Sequence, residues 1–430
     1  MGCQMNEYDS DSLAQSLIND GFFPTSNLDN ADLILINTCA VRAKPEQKAF
    51  SFLGRLAGKK KNRPGLVIGM VGCLAQMHGS SLLKRFPYLD FVIGPGEVGN
   101  ILEVVKKAGP HHLKVVATSL CPAPHQPISC QGYFSKRVTG FISVMEGCDN
   151  FCSYCIVPYV RGREISRSPA EISAEAKDLV SQGVRDLTLL GQNVNSFRWE
   201  GEITGDFPSL LHELSGLNGL YRLRFTTSHP KDLSDNLIQC FRDIKELCPH
   251  IHLPFQAGSN RVLERMRRSY TREHYLELIR KLRAAGPDIA ITSDVMVGFP
   301  GETDDDFELT LDLIKEVQFD SLFSFKYSDR KGTSAERMGE KVEDNKKAYR
   351  LNLLQGLQKE ITLRKNKDLE GKRLEVLVEG VSKRGGQLTG RTASNKVVNF
   401  IGNNNQIGKL IPVKIYHSSP NSLQGEATTF

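Results

Sequence analysis

The sequence predicts an α/β protein built of three parts: a doubly wound parallel sheet, a partial (β/α)6 barrel and a small all-β barrel. Three observations predict this order. Helical and extended patterns alternate over residues 1–116, a longer β-α series occupies residues 140–325, and short strands separated by Gly and Asn turns follow Lys372. With 430 residues, the chain also exceeds the length that one ordinary hydrophobic core supports.

The N-terminal part, residues 1–117, alternates amphipathic segments with short apolar strands. The predicted elements are helix 8–20, strand 33–37, helix 45–56, strand 65–71, helix 74–86, strand 91–93 and helix 98–106. This alternation favours a parallel sheet with helices on both faces. Only Met1 and Gly2 precede Cys3, so either the sheet lacks a strand there or the natural start lies upstream.

A linker rich in Pro, Ser and Gln, residues 118–133, leads to the central part, residues 134–366. Six strands alternate there with five helices, the pattern of a partial barrel whose functional groups lie on the loops after the strands. The expected strands are 140–145, 187–190, 222–226, 250–253, 289–296 and 321–325. The expected helices are 169–182, 208–217, 232–240, 271–285 and 304–317.

A helix at 344–368 leads into the C-terminal part, residues 367–430, with strands expected at 374–378, 387–392, 396–400 and 410–415. Residues 371–430 carry eight basic side chains against three acidic ones. The basic residues are Lys372, Arg373, Lys383, Arg384, Arg391, Lys396, Lys409 and Lys414. A compact basic module indicates binding to phosphate backbones, and the alternative is a basic surface without a partner.

The sequence contains no membrane-spanning pattern. No apolar run approaches the roughly 18 residues needed to cross a bilayer, and Met1 is followed by no signal-peptide pattern. We therefore expect a cytoplasmic protein without membrane contact. In that compartment the ten cysteines are expected to be reduced thiols with metal or redox roles.

Three cysteines, Cys148, Cys152 and Cys155, occupy the loop after the first strand of the central part, and we call them the loop cysteines. A four-iron, four-sulfur cluster normally takes four thiolates, so three leave one iron open to a substrate or cofactor. A structural zinc site requires a fourth Cys or a His, and neither occurs between Phe134 and Arg167. An open iron-sulfur cluster is the better interpretation.

Three further cysteines lie at equivalent places in the N-terminal part, and we call Cys3, Cys39 and Cys73 the sheet cysteines. Cys39 and Cys73 each end a predicted strand, and Cys3 precedes the first helix. Ligands bind at the carboxyl ends of strands in open α/β sheets, so a second three-thiolate site is predicted. The alternative is that each is a small buried hydrophobe.

Polar residues also follow the later strands of the central part, where they are expected to surround a common ligand. They include Gln192, Asn193, Ser228 and Gln256. Each loop taken alone is an ordinary turn, and His229 alone is explained as a helix cap.

With these residues described, the chain resembles the methylthiotransferase branch of the radical S-adenosylmethionine enzymes over its full length. The loop cysteines match the radical-cluster motif, Tyr154 matches its aromatic position, and the sheet cysteines match the ligands of the auxiliary cluster. The C-terminal part resembles a TRAM domain, an RNA-binding barrel. Four segments resemble the branch's tRNA-2-methylthio-N6-dimethylallyladenosine synthases: GCQMNEYDS (2–10), NTCAVR (37–42), GQNVNS (191–196) and FSFKYS (323–328).

The resemblance implies two 4Fe-4S clusters and S-adenosylmethionine as cofactors. The loop cysteines would hold the cluster that cleaves S-adenosylmethionine to a radical, and the sheet cysteines would hold the one that donates sulfur. The implied reaction converts C2–H of N6-dimethylallyladenosine, beside the tRNA anticodon, to a methylthio group. Adenine C2 is beyond acid-base catalysis, which explains the need for such cofactors.

Cofactor contacts are predicted at Tyr154, through its backbone, and at Gln192, Asn193, Ser228 and Gln256. Arg161, Arg163 and Arg167 are expected either to contact tRNA phosphates or to be solvated surface residues. We also expect an electron donor such as flavodoxin or ferredoxin, and a monomeric enzyme. The alternative substrates are threonylcarbamoyl-adenosine of tRNA and an aspartate of a ribosomal protein. A zinc- and RNA-binding protein without catalytic activity is the alternative from another class.

Overall fold

The computed structural model describes residues 2–40, 43–109, 113–120, 131–201, 204–286, 288–383 and 385–428. The N-terminal unit is a four-stranded parallel sheet in the order β1-β2-β3-β4. Its elements are α1 (Gln4–Asn19), β1 (Leu33–Asn37), α2 (Ala43–Asn62), β2 (Val67–Val71), α3 (Cys73–His78), α4 (Ser80–Arg85), β3 (Phe91–Ile93), α5 (Ile101–Ala108) and β4 (Val115–Ala117). No strand precedes Cys3 among the described residues.

Both faces of this sheet are covered, which confirms the doubly wound prediction. Alternate side chains of a strand point to opposite faces. Ile34 and Ile68 therefore pack with α2 and α3 on one face, whereas Val71 and Phe91 pack with α1 and α5 on the other. The sequence pattern missed β4, and it predicted one helix where Gly79, at φ +49°, separates α3 from α4.

The central unit has the predicted β-α series, with two additional helices, α6 and α10, and two short antiparallel strand pairs. Its elements are β5 (Thr139–Ser143), β6 (Met145–Glu146), α6 (Val157–Arg161), β7 (Ile165–Ser166), α7 (Pro169–Ser181), β8 (Asp186–Leu190), β9 (Arg198–Trp199), β10 (Gly205–Asp206), α8 (Phe207–Ser215), β11 (Arg222–Phe225), α9 (Asp235–Asp243), β12 (His250–His252), α10 (Asn260–Arg265), α11 (Arg272–Ala285), β13 (Ala290–Val297), α12 (Asp304–Val317) and β14 (Ser321–Lys326).

The six long strands form two three-stranded parallel sheets, β5-β8-β11 and β12-β13-β14. A bridge between Leu223 and Leu247 lies at the junction of the two sheets. The strands therefore curve around a lumen as a partial barrel, and one large core of buried side chains packs the helices onto it. The (β/α)6 prediction is confirmed.

A long helix, α13 (Asp344–Lys367), leads into the C-terminal unit, a closed antiparallel and parallel barrel of five strands. The strands are β15 (Arg373–Val381), β16 (Leu388–Thr392), β17 (Val397–Ile401), β18 (Leu410–Ser418) and β19 (Leu423–Ala427). The predicted small all-β barrel is confirmed, and β19, which pairs with β17 and β18, was missed.

The C-terminal barrel docks at the amino ends of the central strands. Arg222 and Arg224, on β11, donate hydrogen bonds to the carbonyl oxygens of Glu375, Arg391, Thr392 and Ala393. Lys396 forms an ion pair with Asp320, just before β14, at 3.4 Å. This contact lies at the opposite end of the partial barrel from the loop cysteines.

Within the described ranges, no helix combines the length and the apolar character required to cross a membrane. Most of the predicted linker, with Cys121 and Cys130, lies outside the described residues, as do Val41 and Arg42 of the segment 37–42.

Candidate functional site

The loop cysteines lie on a tight loop that requires a glycine. Gly147 has φ +76°, and a Cβ there would lie 1.9 Å from the carbonyl oxygen of Arg163. The N–H of Cys148 donates to the carbonyl oxygen of Gly162 at 3.2 Å, and the N–H of Cys155 donates to that of Cys152 at 3.0 Å. These contacts bring all three cysteines onto one compact turn.

The three thiols share one buried environment. Burial, together with smaller contributions from Cys152 and Cys148, raises the pKa of Cys155 to about 12. Burial also raises the pKa of Cys148. Arg268 opposes this effect at Cys155 and donates a hydrogen bond to Sγ of Cys152 at 3.5 Å. A buried cation next to a group of thiols favours their thiolate form, the form that binds iron.

The sheet cysteines also come together. Cys39 follows β1, Cys73 begins α3 and Cys3 is the N-cap of α1. A hydrogen bond from the Cys39 side chain is the main cause that lowers the pKa of Cys3 to about 5, and burial works against it. Cys3 in turn raises the pKa of Cys73, where burial is the main cause. Residues separated by about seventy positions thus converge at one edge of the sheet.

A network of asparagines holds this edge in place. Asn6 accepts hydrogen bonds from the N–H and Sγ of Cys3 at 3.4 and 3.2 Å, and its Nδ2 donates to Oδ1 of Asn37 at 2.9 Å. Gly72 has φ +93° and lies against Asn37 and Thr38, where a side chain would collide. Glycine at position 72 therefore lets the backbone before Cys73 lie close to Asn37 and Thr38.

The two sets of cysteines lie on edges that face each other. Ala40 and Cys73 form one apolar cluster with Ile156 and Val160, which follow the loop cysteines. Arg161, at the end of α6, donates from Nε to Sγ of Cys73 at 3.3 Å. The carboxyl end of the first sheet therefore meets the carboxyl end of the barrel.

Two of the three arginines expected to face tRNA phosphates or solvent are buried, so that prediction was wrong for them. Arg161 pairs with Asp9 at 2.5 Å, and Arg167 pairs with Glu175 at 2.8 Å. Arg163 is 71% exposed and lies beside Asp149. The sequence shows the charges of this segment, but it does not show that α1 covers Arg161 and Arg167.

Four buried polar atoms at the strand ends lack a hydrogen-bond partner within the described part of the chain: Oε1 of Gln192, Oδ1 of Asn193, Oγ of Ser228 and Nε2 of His229. Buried polar atoms in native proteins are nearly always paired, so each orphan calls for a ligand or water. Carbonyl and hydroxyl oxygens suit the ammonium group and ribose hydroxyls of S-adenosylmethionine. The residues present therefore fit that cofactor.

His229 contributes more than the predicted cap. Its Nδ1 accepts from the N–H of Lys231 at 3.2 Å and so carries no proton. Because burial lowers the pKa of His229 to about 2, the ring is neutral and its proton is on Nε2. The unpaired Nε2 is therefore a hydrogen-bond donor beside the acceptors of Gln192 and Asn193.

The two other predicted cofactor contacts lie on the same side of the barrel. Gln256 is buried, has φ +63° and bridges to Val295 through its backbone. Tyr154 packs its ring edge against Phe299, with centroids 6.5 Å apart. Its position in the loop leaves its backbone adjacent to Cys155.

Within the described ranges, no group of three or more His, Cys, Asp or Glu side chains is arranged to hold a metal ion. Each thiolate of a four-iron cluster binds a different iron, so cluster ligands need not surround one point. The three loop thiols, with Arg268 at Cys152, and the three sheet thiols, with Arg161 at Cys73, fit such clusters by their chemistry.

A cavity of about 1010 Å³ extends from Cys3 through the lumen of the partial barrel to the C-terminal unit. Its wall includes Cys3, Phe141, His252, Phe323 and Lys396, whereas the loop cysteines lie outside it. The volume is at the upper end of the range for small-molecule sites. A modified nucleoside is within that range.

Arg268 and His229 are functional candidates that sequence reasoning missed. Arg268 follows α10 in a run of arginines, which gives no sign that one of them reaches Cys152. The position of His229 directly after Ser228, on a predicted strand-end loop, was a usable signal.

Known families match three separate parts of the chain. The Radical SAM superfamily matches residues 142–314, the TRAM domain matches residues 367–428, and the Uncharacterized protein family UPF0004 matches residues 1–94. These three matches cover the central barrel, the C-terminal barrel and the N-terminal sheet.

Curated proteins with the name tRNA-2-methylthio-N(6)-dimethylallyladenosine synthase are similar over the full length. The one from Syntrophus aciditrophicus is 47% identical, with 99% of this chain and 93% of that protein covered. The one from Geobacter metallireducens is 48% identical, with 100% and 97% covered.

Among solved structures, the radical S-adenosylmethionine methyltransferase TsrM from Kitasatospora setae has a TM-score of 0.54. It is 17% identical, and the match covers 74% of this chain and 69% of that chain. This likeness supports the fold alone.

Proposed function

We propose that two thiol sites take separate parts in one reaction. The premise is that this chain belongs to the tRNA-2-methylthio-N(6)-dimethylallyladenosine synthases of the radical SAM superfamily. It is accordingly a tRNA methylthiotransferase that modifies C2 of N6-dimethylallyladenosine beside the anticodon. The relatives favour neither threonylcarbamoyl-adenosine nor a ribosomal-protein aspartate as the substrate.

An iron-sulfur cluster and S-adenosylmethionine follow from the superfamily. In our proposal Cys148, Cys152 and Cys155 hold that cluster, and Arg268 favours their thiolate form. When bound, the cluster and S-adenosylmethionine supply the radical chemistry that an unactivated aromatic C–H bond requires. Within this loop, Cys152 and Ser153 are buried.

In the proposal Cys3, Cys39 and Cys73 would hold a second cluster, which would supply the sulfur chemistry of the transfer. The supporting observation is that this set lies on an edge in contact with α6, immediately after the loop cysteines. The two sets would therefore act on one substrate held between them. The contact of Cys73 with α6 is the single structural observation that carries the proposal.

Gln192, Asn193, Ser228, Gln256 and Tyr154 bind S-adenosylmethionine. The unpaired oxygens of Gln192, Asn193 and Ser228 accept from its ammonium group and ribose hydroxyls, and the backbone of Tyr154 contacts its adenine. Binding there orients the cofactor toward the loop cysteines.

The substrate adenosine enters the cavity, while the C-terminal barrel binds the tRNA backbone. Because the cavity reaches Cys3, the base bound in it approaches the sheet cysteines. An electron donor such as flavodoxin or ferredoxin and a monomeric state complete the proposal.

Two measurements test it. Anaerobically reconstituted protein should contain about eight iron and eight sulfide per chain, and about four of each after Cys3, Cys39 and Cys73 are replaced by Ala. Stoichiometric zinc without a brown chromophore would support a zinc- and RNA-binding protein instead. Nucleoside analysis of tRNA from a strain lacking its own synthase should show the methylthio product only when this chain is expressed.

A further inference from the structure

Arg161 connects the two sets of cysteines. It ends α6, shortly after Cys155, yet its Nε donates to Sγ of Cys73 at 3.3 Å. Its Nη2 donates to Oδ2 of Asp9 at 2.5 Å, and the Arg161 side chain is 3% exposed. Arg161, which follows the loop cysteines in the chain, therefore contacts Cys73, one of the sheet cysteines.

The ion pair with Asp9 does not account for the whole guanidinium. Arginine carries five N–H donors, and a buried charge is costly unless its donors are satisfied. Nη1 of Arg161 is buried and has no hydrogen-bond partner among the residues that the structure describes. An anionic group bound beside Cys73 would satisfy those donors.

Packing fixes the guanidinium in this place. Helix α6 packs against α3, which begins at Cys73, and Ile156 and Val160 bury their side chains against Cys73 and Ala40. Asp9, on α1, holds the guanidinium from the other side. Arg161 is thus held by elements from both units.

We propose that Arg161 is a positioning residue for the sheet cysteines, whose guanidinium at Cys73 raises the reduction potential of the cluster that they ligate. The inference rests on the second cluster of the proposed function. Charge and hydrogen bonds around the ligand sulfurs tune cluster potentials. Reduction adds negative charge, so a cationic donor at a ligand sulfur stabilises the reduced state. Asp9 acts in the opposite direction.

The test isolates the sheet site. In the full chain, Cys148, Cys152 and Cys155 are replaced by Ala, and the protein is reconstituted anaerobically to about four iron. Redox titration followed by electron paramagnetic resonance then gives the midpoint potential of this parent and of its Arg161→Gln, Arg161→Lys and Asp9→Asn variants. We expect a more negative potential for Arg161→Gln, an intermediate one for Arg161→Lys and a more positive one for Asp9→Asn.

The matched control carries Arg161→Gln in a chain without the sheet cysteines, where the potential of the loop cluster should stay unchanged. A parent potential retained in Arg161→Gln overturns the inference. If Arg161→Gln assembles no cluster and Arg161→Lys does, a cation beside Cys73 is required for the site, which supports the inference. If neither Arg161 variant assembles a cluster, the midpoint potential of Asp9→Asn decides. A potential equal to that of the parent then overturns the inference. A parent that binds no iron would instead refute the proposed second cluster itself.

Discussion

Gly72 determines where Cys73 lies. A Cβ at this position would be 2.4 Å from Oδ1 of Asn37 and 2.9 Å from the carbonyl oxygen of Thr38, at a φ of +93°. We expect Gly72→Ala to reduce the free energy of unfolding by about 1–3 kcal/mol. Because Cys73 would move, we also expect the iron content to fall toward that of one cluster. Urea unfolding and an iron assay measure the two effects.

The control for this prediction is Gly65→Ala, in the loop before β2. A Cβ there meets no atom within 4 Å, so stability and iron content should be unchanged. Equal iron in Gly72→Ala and the parent would contradict the assignment of Cys73 as a ligand.

His250, at the start of β12, makes stability depend on pH. Burial, assisted by Arg224, lowers its pKa to about 3 in the folded chain, whereas the pKa of an unfolded histidine is about 6.5. Between these values the unfolded chain binds a proton that the folded chain does not. The stabilisation is therefore complete above about pH 6.5 and is lost as the pH falls, by at most about 1.4 kcal/mol per pH unit. The other charged or titratable neighbours are His252, Asp320 and Arg391.

Urea unfolding from about pH 5 to pH 8 measures this contribution. The slope of stability against pH should be smaller for His250→Gln than for the parent. His274→Gln, which replaces an exposed histidine on α11, should leave the slope unchanged. Identical slopes for His250→Gln and the parent would exclude His250 as the source.

At the scale of elements, periodicity predicted nearly all of the long helices and strands, because their buried faces repeat every two or 3.6 residues. Apart from the two-residue strands, it missed β4, β19, α6 and α10. The sequence of β19, LQGEA, lacks β-branched and aromatic residues, so its antiparallel hairpin with β18 and its parallel pairing with β17 decide that it is a strand. The break between α3 and α4 depends on the backbone conformation of Gly79, which sequence periodicity does not report.

Helix α12 illustrates how one carboxylate fixes a strand-end loop. Asp306 accepts from the N–H and Oγ1 of Thr303 at 2.8 and 2.7 Å, and from Oγ of Ser259 at 2.5 Å. Burial opposes ionisation, yet hydrogen bonds from Arg261 and Ser259 hold the pKa of Asp306 below its usual range. We expect Asp306→Ala to destabilise the chain by about 2 kcal/mol, because a capping box and a buried hydroxyl lose their acceptor.

Thermal unfolding near neutral pH measures this loss. Asp305→Ala removes the same charge from the same helical turn, but Asp305 is exposed, so its effect should be much smaller. Equal losses in the two variants would indicate that helix charge, and not the hydrogen bonds of Asp306, stabilises α12.

For the whole molecule, the facing of the two sheets agrees with the placement of both sets of cysteines at strand ends, where ligands bind in parallel α/β sheets. The docking of the C-terminal barrel did not follow from the sequence. Arg222 and Arg224 bind backbone carbonyl groups, and any residue supplies those, so no complementary pattern marks the contact. The number of basic residues in the C-terminal unit also overstates the positive charge that is available to a partner, because some of these residues form ion pairs. Arg391 pairs with Glu379, and Lys396 pairs with Asp320.

This docking also argues against removing residues 371–430 as a test of tRNA binding. Deletion would leave the buried guanidinium groups of Arg222 and Arg224 without their carbonyl acceptors and expose the amino ends of the central strands. Lost stability would then be confused with lost tRNA affinity. Substitutions on the exposed face are required.

Arg373 and Lys414 provide such a face, because they are exposed partners on the paired strands β15 and β18, and Tyr416 is 57% exposed on β18. We expect the double variant Arg373→Gln, Lys414→Gln to bind tRNA more weakly and with a weaker salt dependence. Each lost phosphate contact should reduce the slope of log K against log salt by about 0.7–0.9. Filter binding at several salt concentrations measures the slope.

Lys61→Gln, on α2 of the N-terminal unit, is the control that should leave the salt slope unchanged. Cleavage of S-adenosylmethionine should be retained in both variants, because neither substitution touches the barrel lumen. An unaltered salt slope in the double variant would show that tRNA binds elsewhere.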